Sequence, residues 1–164
     1  KKDTGIDLSA DAMAMQRLCK ERGYNNRFLV YPTTYGIGVW LFYNFNAELQ
    51  ALMGICGDRP VSVVNGSTKD LRAYEQDPNS ITLVQYQAGA YGLNLQKCRR
   101  IIYFTLPESS ELYEQSRKRI HRIGQEQKCF YYLPICTGSV EERILQTLKM
   151  RRDYNDQLFK KDFE

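Results

Sequence analysis

Short apolar runs alternate with amphipathic or polar stretches at least four times along this chain, and that alternation confines the fold more than any other feature. Val39–Phe45, Val61–Val64, Ile81–Tyr86, Arg100–Phe104 and Phe130–Ile135 carry the aliphatic and aromatic side chains of buried strands. Between them, Asn46–Met53 predicts a short helix with Asn46 as its N-cap, and a polar helical stretch runs to Asp77-Pro78. Pro107–Ile123 predicts an amphipathic helix carrying Leu112, Tyr113, Ser116, Ile120 and Ile123 on one side. Val140–Phe159 predicts a closing helix with Val140, Ile144, Leu145, Leu148 and Leu158 in helical register. Strand, helix, strand in this order implies parallel strands joined by crossover helices, an α/β sandwich. Upstream, residues 7–22 place Leu8, Ala12, Met15 and Leu18 on one helical face before Gly23, and Phe28–Tyr31 reads as a further β-like run. The turn residues of 24–38 fit no simple βα unit.

Composition narrows the class. At 164 residues the chain has one domain's length, and 43% hydrophobic with 26% charged residues is a globular balance. The five cysteines are odd in number and have no C-x-x-C spacing, so they read as small core residues. A single histidine, His121, excludes an ordinary Cys/His zinc site. No apolar run reaches the ~20 residues of a membrane helix, and the start lacks the shape of a signal peptide. A soluble, cytoplasmic domain with no membrane association is expected.

In an open α/β sheet, ligands meet the loops at the carboxyl ends of the strands. Those loops are Asn44–Asn46, Asn65–Lys69, Gln87–Asn94 and Thr105–Ser110, and most are rich in the small and hydroxylic residues that suit a phosphate chain. The net charge of +4 is modest, but the basic residues cluster in two knots, Lys97-Arg99-Arg100 and Arg117-Lys118-Arg119-Arg122. On a helix Arg119 and Arg122 lie on one face, about 5–6 Å apart at Cβ, with Gln115 one turn before Arg119. A solvated face offers no reason for arginine over lysine. A phosphate-facing one does, because the guanidinium fork matches phosphate oxygens in pairs.

At these residues the sequence resembles a family. Gln115-x-x-x-Arg119-x-His121-Arg122-x-Gly124-Gln125 looks like motif VI of the Swi/Snf-type ATPases of helicase superfamily two, and Gln87-Ala-Gly-Ala-Tyr-Gly-Leu-Asn-Leu95 looks like their motif V. Val39–Phe45 with Asn46 is similar to motif IV, Asn65-Gly66-Ser67-Thr68 to the family's D-G-S-T turn, and Thr137–Ile144 to the G-T-V-E-E-R-I segment after motif VI. Five segments in correct order and spacing run from about residue 39 to residue 150.

The resemblance implies a RecA-like three-layer sandwich with a mainly parallel central sheet, over residues 39–164, preceded by an N-terminal helix and connecting segment over 1–38. It implies the second motor lobe of an ATP-dependent DNA translocase or helicase. Arg122 would be the arginine finger, Arg119 its partner on the γ-phosphate, and Gln115 would orient one of them or contact phosphate. Gly92 and Asn94 would meet the nucleotide at the cleft edge. Ser67, Thr68, Gln87, Ala88 and Gly89 would contact the backbone of DNA, expected to be duplex. No glycine precedes a lysine and no Asp-Glu pair occurs, so a Walker A loop and an acidic Mg²⁺-holding motif are missing. ATP and Mg²⁺ would be held mainly by an N-terminal RecA-like lobe, and this lobe alone is expected to be inactive. Its compactness is what a bacterial or phage member would show. An RNA-helicase lobe and a non-enzymatic nucleic-acid-binding module are the alternatives. The chain departs from the family pattern at Gln87, Ala90 and Asn65, at Thr105 where the family carries aspartate, and at Pro107–Ser110.

Overall fold

The computed structural model describes residues 38–89, 97–121, 123–126 and 128–163. The helix expected over 7–22 and the β-like run Phe28–Tyr31 lie outside the described residues. Six strands form one sheet: β1 (Val39–Tyr43), β2 (Val61–Val64), β3 (Lys69–Asp70), β4 (Ile81–Gln85), β5 (Arg100–Tyr103) and β6 (Phe130–Tyr132), in the order β3-β2-β4-β1-β5-β6. All neighbouring pairs are parallel except the β2–β3 hairpin. Val39 lies opposite Ile81 on one side of β1, and Trp40 opposite Ile101 on the other. The helices are α1 (Asn46–Ile55), α2 (Arg72–Gln76), the single turn α3 (Tyr86–Gly89), α4 (Ser110–Arg117), α5 (Val140–Lys149) and α6 (Asp156–Phe163).

Strand alternation splits the core into two layers. Trp40, Phe42, Val84, Ile101 and Tyr103 face one way, where Tyr74 of α2, Tyr86 of α3, Tyr113 of α4 and Leu148 of α5 close over them. Leu41, Tyr43, Ile81 and Leu83 face the other way, against Leu52 and flanking residues of α1. Helices therefore cover both faces, as a three-layer sandwich requires. Phe42 stacks on Tyr86 and Tyr103 at centroid separations of 5.1 and 5.8 Å, so the first layer is held by an aromatic cluster beneath the carboxyl ends of β1, β4 and β5. Cys56, Cys98 and Cys136 are buried free thiols, as the core reading of the cysteines expects. Burial pushes the Cys98 thiol up to about 11, which keeps it protonated.

Several boundaries differ from the sequence reading. The helix expected over Pro107–Ile123 spans only Ser110–Arg117, because the chain turns inward to bury Ile120 completely. Residues further along then take carbonyls at the helix end and in the turn after it: Tyr131 Oη donates to Arg117 O at 2.9 Å and Gln125 Nε2 to Ile120 O at 3.4 Å. The closing helix breaks after Lys149, and a separate helix begins at Asp156. Arg151 (φ 57°) sits in left-handed geometry, its N–H donating to Leu148 O, while the Arg152 N–H reaches Thr147 O. That pair of bonds is a Schellman ending with arginine where glycine is usual. The polar stretch after β2 contributes a short antiparallel strand before α2. The strands expected over Val39–Phe45, Ile81–Tyr86, Arg100–Phe104 and Phe130–Ile135 end at Tyr43, Gln85, Tyr103 and Tyr132.

Candidate functional site

The carboxyl ends of β2, β4, β1 and β5 open on one edge of the sheet, and the segments that follow them carry most of the candidate residues. After β2, Asn65 closes the turn itself: its Oδ1 accepts from the amides of Ser67 (3.0 Å) and Thr68 (2.8 Å) and from Ser67 Oγ (3.0 Å). An Asx turn of this kind holds its shape without a partner. It also engages donors that the sequence reading offered to phosphate, although Ser67 and Thr68 are both exposed. After β4, the expected Gln87–Asn94 loop begins within the helical turn α3. Gln87 is exposed there, Ala88 packs against the aromatic core, and Gly89 ends the turn. Gly92 and Asn94 lie outside the described residues.

After β5 the chain passes through Thr105 and Leu106 to α4. Ser109 caps the helix, accepting from the Leu112 N–H, and the Ser110 N–H and Oγ both donate to Asp153 Oδ1 at 2.7 and 2.8 Å. Those two bonds hold the Asp153 carboxyl below its ordinary range. Tyr154 N–H donates to Glu108 O, so the break between α5 and α6 is what seats this strap on the start of α4. Inside the helix, Ser116 Oγ bonds Tyr103 Oη at 3.0 Å and ties α4 to β5. Arg117 pairs with Glu114 at 3.0 Å and lies over the rings of Tyr113 and Tyr131.

The one-face arrangement of Gln115, Arg119 and Arg122 needs a helix reaching Ile123, and the helix ends at Arg117. Arg119 stands in the following turn and is buried, 6% exposed, instead of lying on an open helix face with Gln115. The Gln115 amide donates to Glu111 one turn earlier. His121 is exposed, and Arg122 lies outside the described residues. The Thr137–Ile144 segment builds a helix start: Cys136 N–H donates to Glu141 and Gly138 N–H to Glu142, with Gly138 at φ 77°.

Sequence reasoning missed the hydrogen bonds that join the strand ends. Asn46 was expected to cap α1, but Phe45 holds the N-cap position and the Glu48 carboxylate does the capping. Its Oε2 accepts from the N–H groups of Asn44 (2.8 Å) and Phe45 (3.0 Å) and from Thr105 Oγ1 (3.1 Å). A glutamate at the third helical position is the readable signal for the first two bonds. Nothing local announces the third. Among the described residues no three His, Cys, Asp or Glu side chains come together to hold a metal ion, and no helix is long and apolar enough to cross a membrane.

A mainly parallel sheet sandwiched by helices, with the loops after its parallel strands gathered on the carboxyl edge, defines a RecA-like lobe. Residues 37–124 match the family model described as the helicase conserved C-terminal domain, and the chain belongs to that family. It is 33% identical over 97 residues to the human chromatin-remodeling ATPase INO80, covering 55% of this chain and 6% of that protein. It is 38% identical over 69 residues to the DNA repair and recombination protein RDH54 of Saccharomyces cerevisiae, covering 42% and 7%. A probable ATP-dependent DNA helicase of Arabidopsis thaliana, CHR23, is 32% identical over 96 residues, covering 54% and 9%. The chain thus spans less than a tenth of the length of these relatives. In structure it is similar to the C-terminal part of the Fun30 ATPase domain, with a TM-score of 0.62 and 22% identity over 88% of this chain and 46% of that one. The Swi/Snf-type resemblance and the sandwich fold both stand.

Proposed function

We propose that this lobe is the second half of an ATP-dependent DNA translocase or helicase. The observation that carries the reading is the family match over 37–124, which runs from β1 through the arginine segment and takes in every loop of the carboxyl edge named above. ATP would lie between this edge and a preceding RecA-like lobe that supplies the phosphate loop. Mg²⁺ would be held by that preceding lobe too.

In this reading Arg122 presents its guanidinium to the γ-phosphoryl oxygens as charge builds on them, an effect worth roughly 10³–10⁵ in rate. Arg119 assists from a buried position, which fixes its stem and limits the conformations the fork must give up. The clamps on α4, through Ser110–Asp153 at its start and Ser116–Tyr103 in its middle, hold the approach to both arginines. Gly92 and Asn94 would border the nucleotide. DNA would cross the exposed turn at Ser67-Thr68 and the α3 turn at Gln87–Gly89. Such contacts to the sugar-phosphate backbone position a duplex without reading its sequence.

The test is an ATPase assay of the intact two-lobed protein with and without duplex DNA. Stimulation by duplex is the expected result. No stimulation by any nucleic acid refutes the motor reading, and stimulation by RNA alone refutes its substrate.

A further inference from the structure

We propose that Asn44, Glu48 and Thr105 form a positioning node that couples the DNA-facing turn after β4 to the arginine-bearing segment after β5. The proposal rests on the motor reading for what the two segments do, but the node itself is a matter of geometry. Asn44 makes four hydrogen bonds to the segments around it. Its N–H donates to Glu48, its side-chain amide donates to Thr105 Oγ1 at 3.2 Å and Leu106 O at 2.9 Å, and its carbonyl accepts from Gln85 Nε2 at 3.0 Å. Thr105 is bound from three sides. Its hydroxyl accepts from Asn44 and donates to Glu48, and its carbonyl accepts from Tyr86 Oη at 2.8 Å.

These bonds span the ends of β4, β1 and β5, the three central strands of the sheet. Gln85 and Tyr86 lead directly into Gln87–Gly89, and Thr105 and Leu106 lead directly into α4. The two loops therefore share one set of hydrogen bonds, and a shift of either moves the other's anchor. Glu48 is 4% exposed. Burying a carboxylate is costly unless it is hydrogen-bonded, and its three bonds offset that cost only while Asn44, Phe45 and Thr105 keep their places. From α1 the Glu48 Oε2 reaches the Thr105 hydroxyl just past the end of β5.

Thr105→Val removes the hydroxyl while keeping the shape, Thr105→Ser keeps the hydroxyl, and Gln85→Met cuts only the β4 link. Hydrogen exchange on the 164-residue chain reads the coupling without any enzyme. Thr105→Val is expected to speed exchange at least tenfold both in Tyr86–Gly89 and in Leu106–Arg117, with the β2–β3 hairpin unchanged and Thr105→Ser like the parent. Gln85→Met should speed the same two segments. Faster exchange confined to residues touching the mutated side chain, or a uniform rise across the sheet in all variants, overturns the node.

In the intact two-lobed protein, Thr105→Val and Gln85→Met should each cut DNA stimulation about tenfold with the basal ATPase within twofold, and Thr105→Ser should retain stimulation. Normal stimulation in both variants, or equal loss of basal and stimulated rates, overturns the coupling. If the parent protein responds to no nucleic acid, the motor reading fails instead, and the exchange result still decides the node.

Discussion

Arg151→Gly should make this lobe more stable although it removes a charged side chain. Arg151 closes α5 at φ 57°, and the two Schellman bonds to Leu148 O and Thr147 O hold it there. A residue with a Cβ carries roughly 1–2 kcal/mol of steric cost in left-handed geometry. Glycine relieves that cost but gives back roughly 0.5–1 kcal/mol through its greater freedom in the unfolded chain. The Arg151 side chain is exposed, so its loss subtracts little. The net gain is about 0.5–1 kcal/mol, or roughly 1–4 °C in thermal midpoint for a domain of this size. Thermal melts of the parent, Arg151→Gly and Arg151→Ala by circular dichroism separate the terms. Alanine removes the same charge but keeps the Cβ, so it should stay near the parent. If the glycine variant melts no higher than the alanine variant, the turn is not strained and the reasoning about the helix ending is wrong.

Three further outcomes follow from the site and its surroundings. In the intact protein, Arg122→Ala should cut the DNA-stimulated ATPase rate about 10³-fold or more with ATP affinity within about tenfold, and Arg122→Lys should recover little, because an ammonium does not reproduce the fork; steady-state kinetics with nucleotide-binding measurements read both. The isolated lobe should bind duplex DNA without sequence preference and with a shallow dependence of log K on log salt, since one lobe touches few phosphates; a steep slope in fluorescence anisotropy titrations, or one preferred sequence, argues against backbone contact. Burial raises the phenols of Tyr74 and Tyr131 to about 12 from the ordinary 10.0, and it raises those of Tyr86 and Tyr103 as well. The folded state therefore holds these protons more tightly than the unfolded one, so their contribution is complete below pH 10, and stability falls as pH rises from there toward 12. Of the twelve tyrosines, the fraction these four represent should form phenolate only together with loss of the circular dichroism signal, and ionisation of all twelve before unfolding would contradict the burial.

Much of this lobe is local in origin and so could be read from the chain. The alternation of Trp40 and Phe42 with Leu41 and Tyr43 marks a strand covered on both faces wherever it lies in the sheet. Asn65 builds its turn from atoms within three residues, and the order of strands and helices restricts the topology to parallel crossovers. The motif segments likewise lie in sequence, which is why the family was legible before the fold was seen. The end of α4 was not legible, because helical periodicity continues through Ile120 and Ile123. What stops the helix is Ile120 entering the core and Tyr131, fourteen residues past Arg117, taking a helix-end carbonyl. Arg119 looked like a surface residue for the same reason, since its burial depends on that turn. The closing helix broke at an arginine, a residue that carries no stop signal, so that Asp153 and Tyr154 reach the start of α4. Glu48 and Thr105 are 57 residues apart and meet only because β5 pairs beside β1. Propensities and turn chemistry act over a few neighbouring residues, whereas burial and cross-strand hydrogen bonds depend on which distant segments the sheet sets side by side.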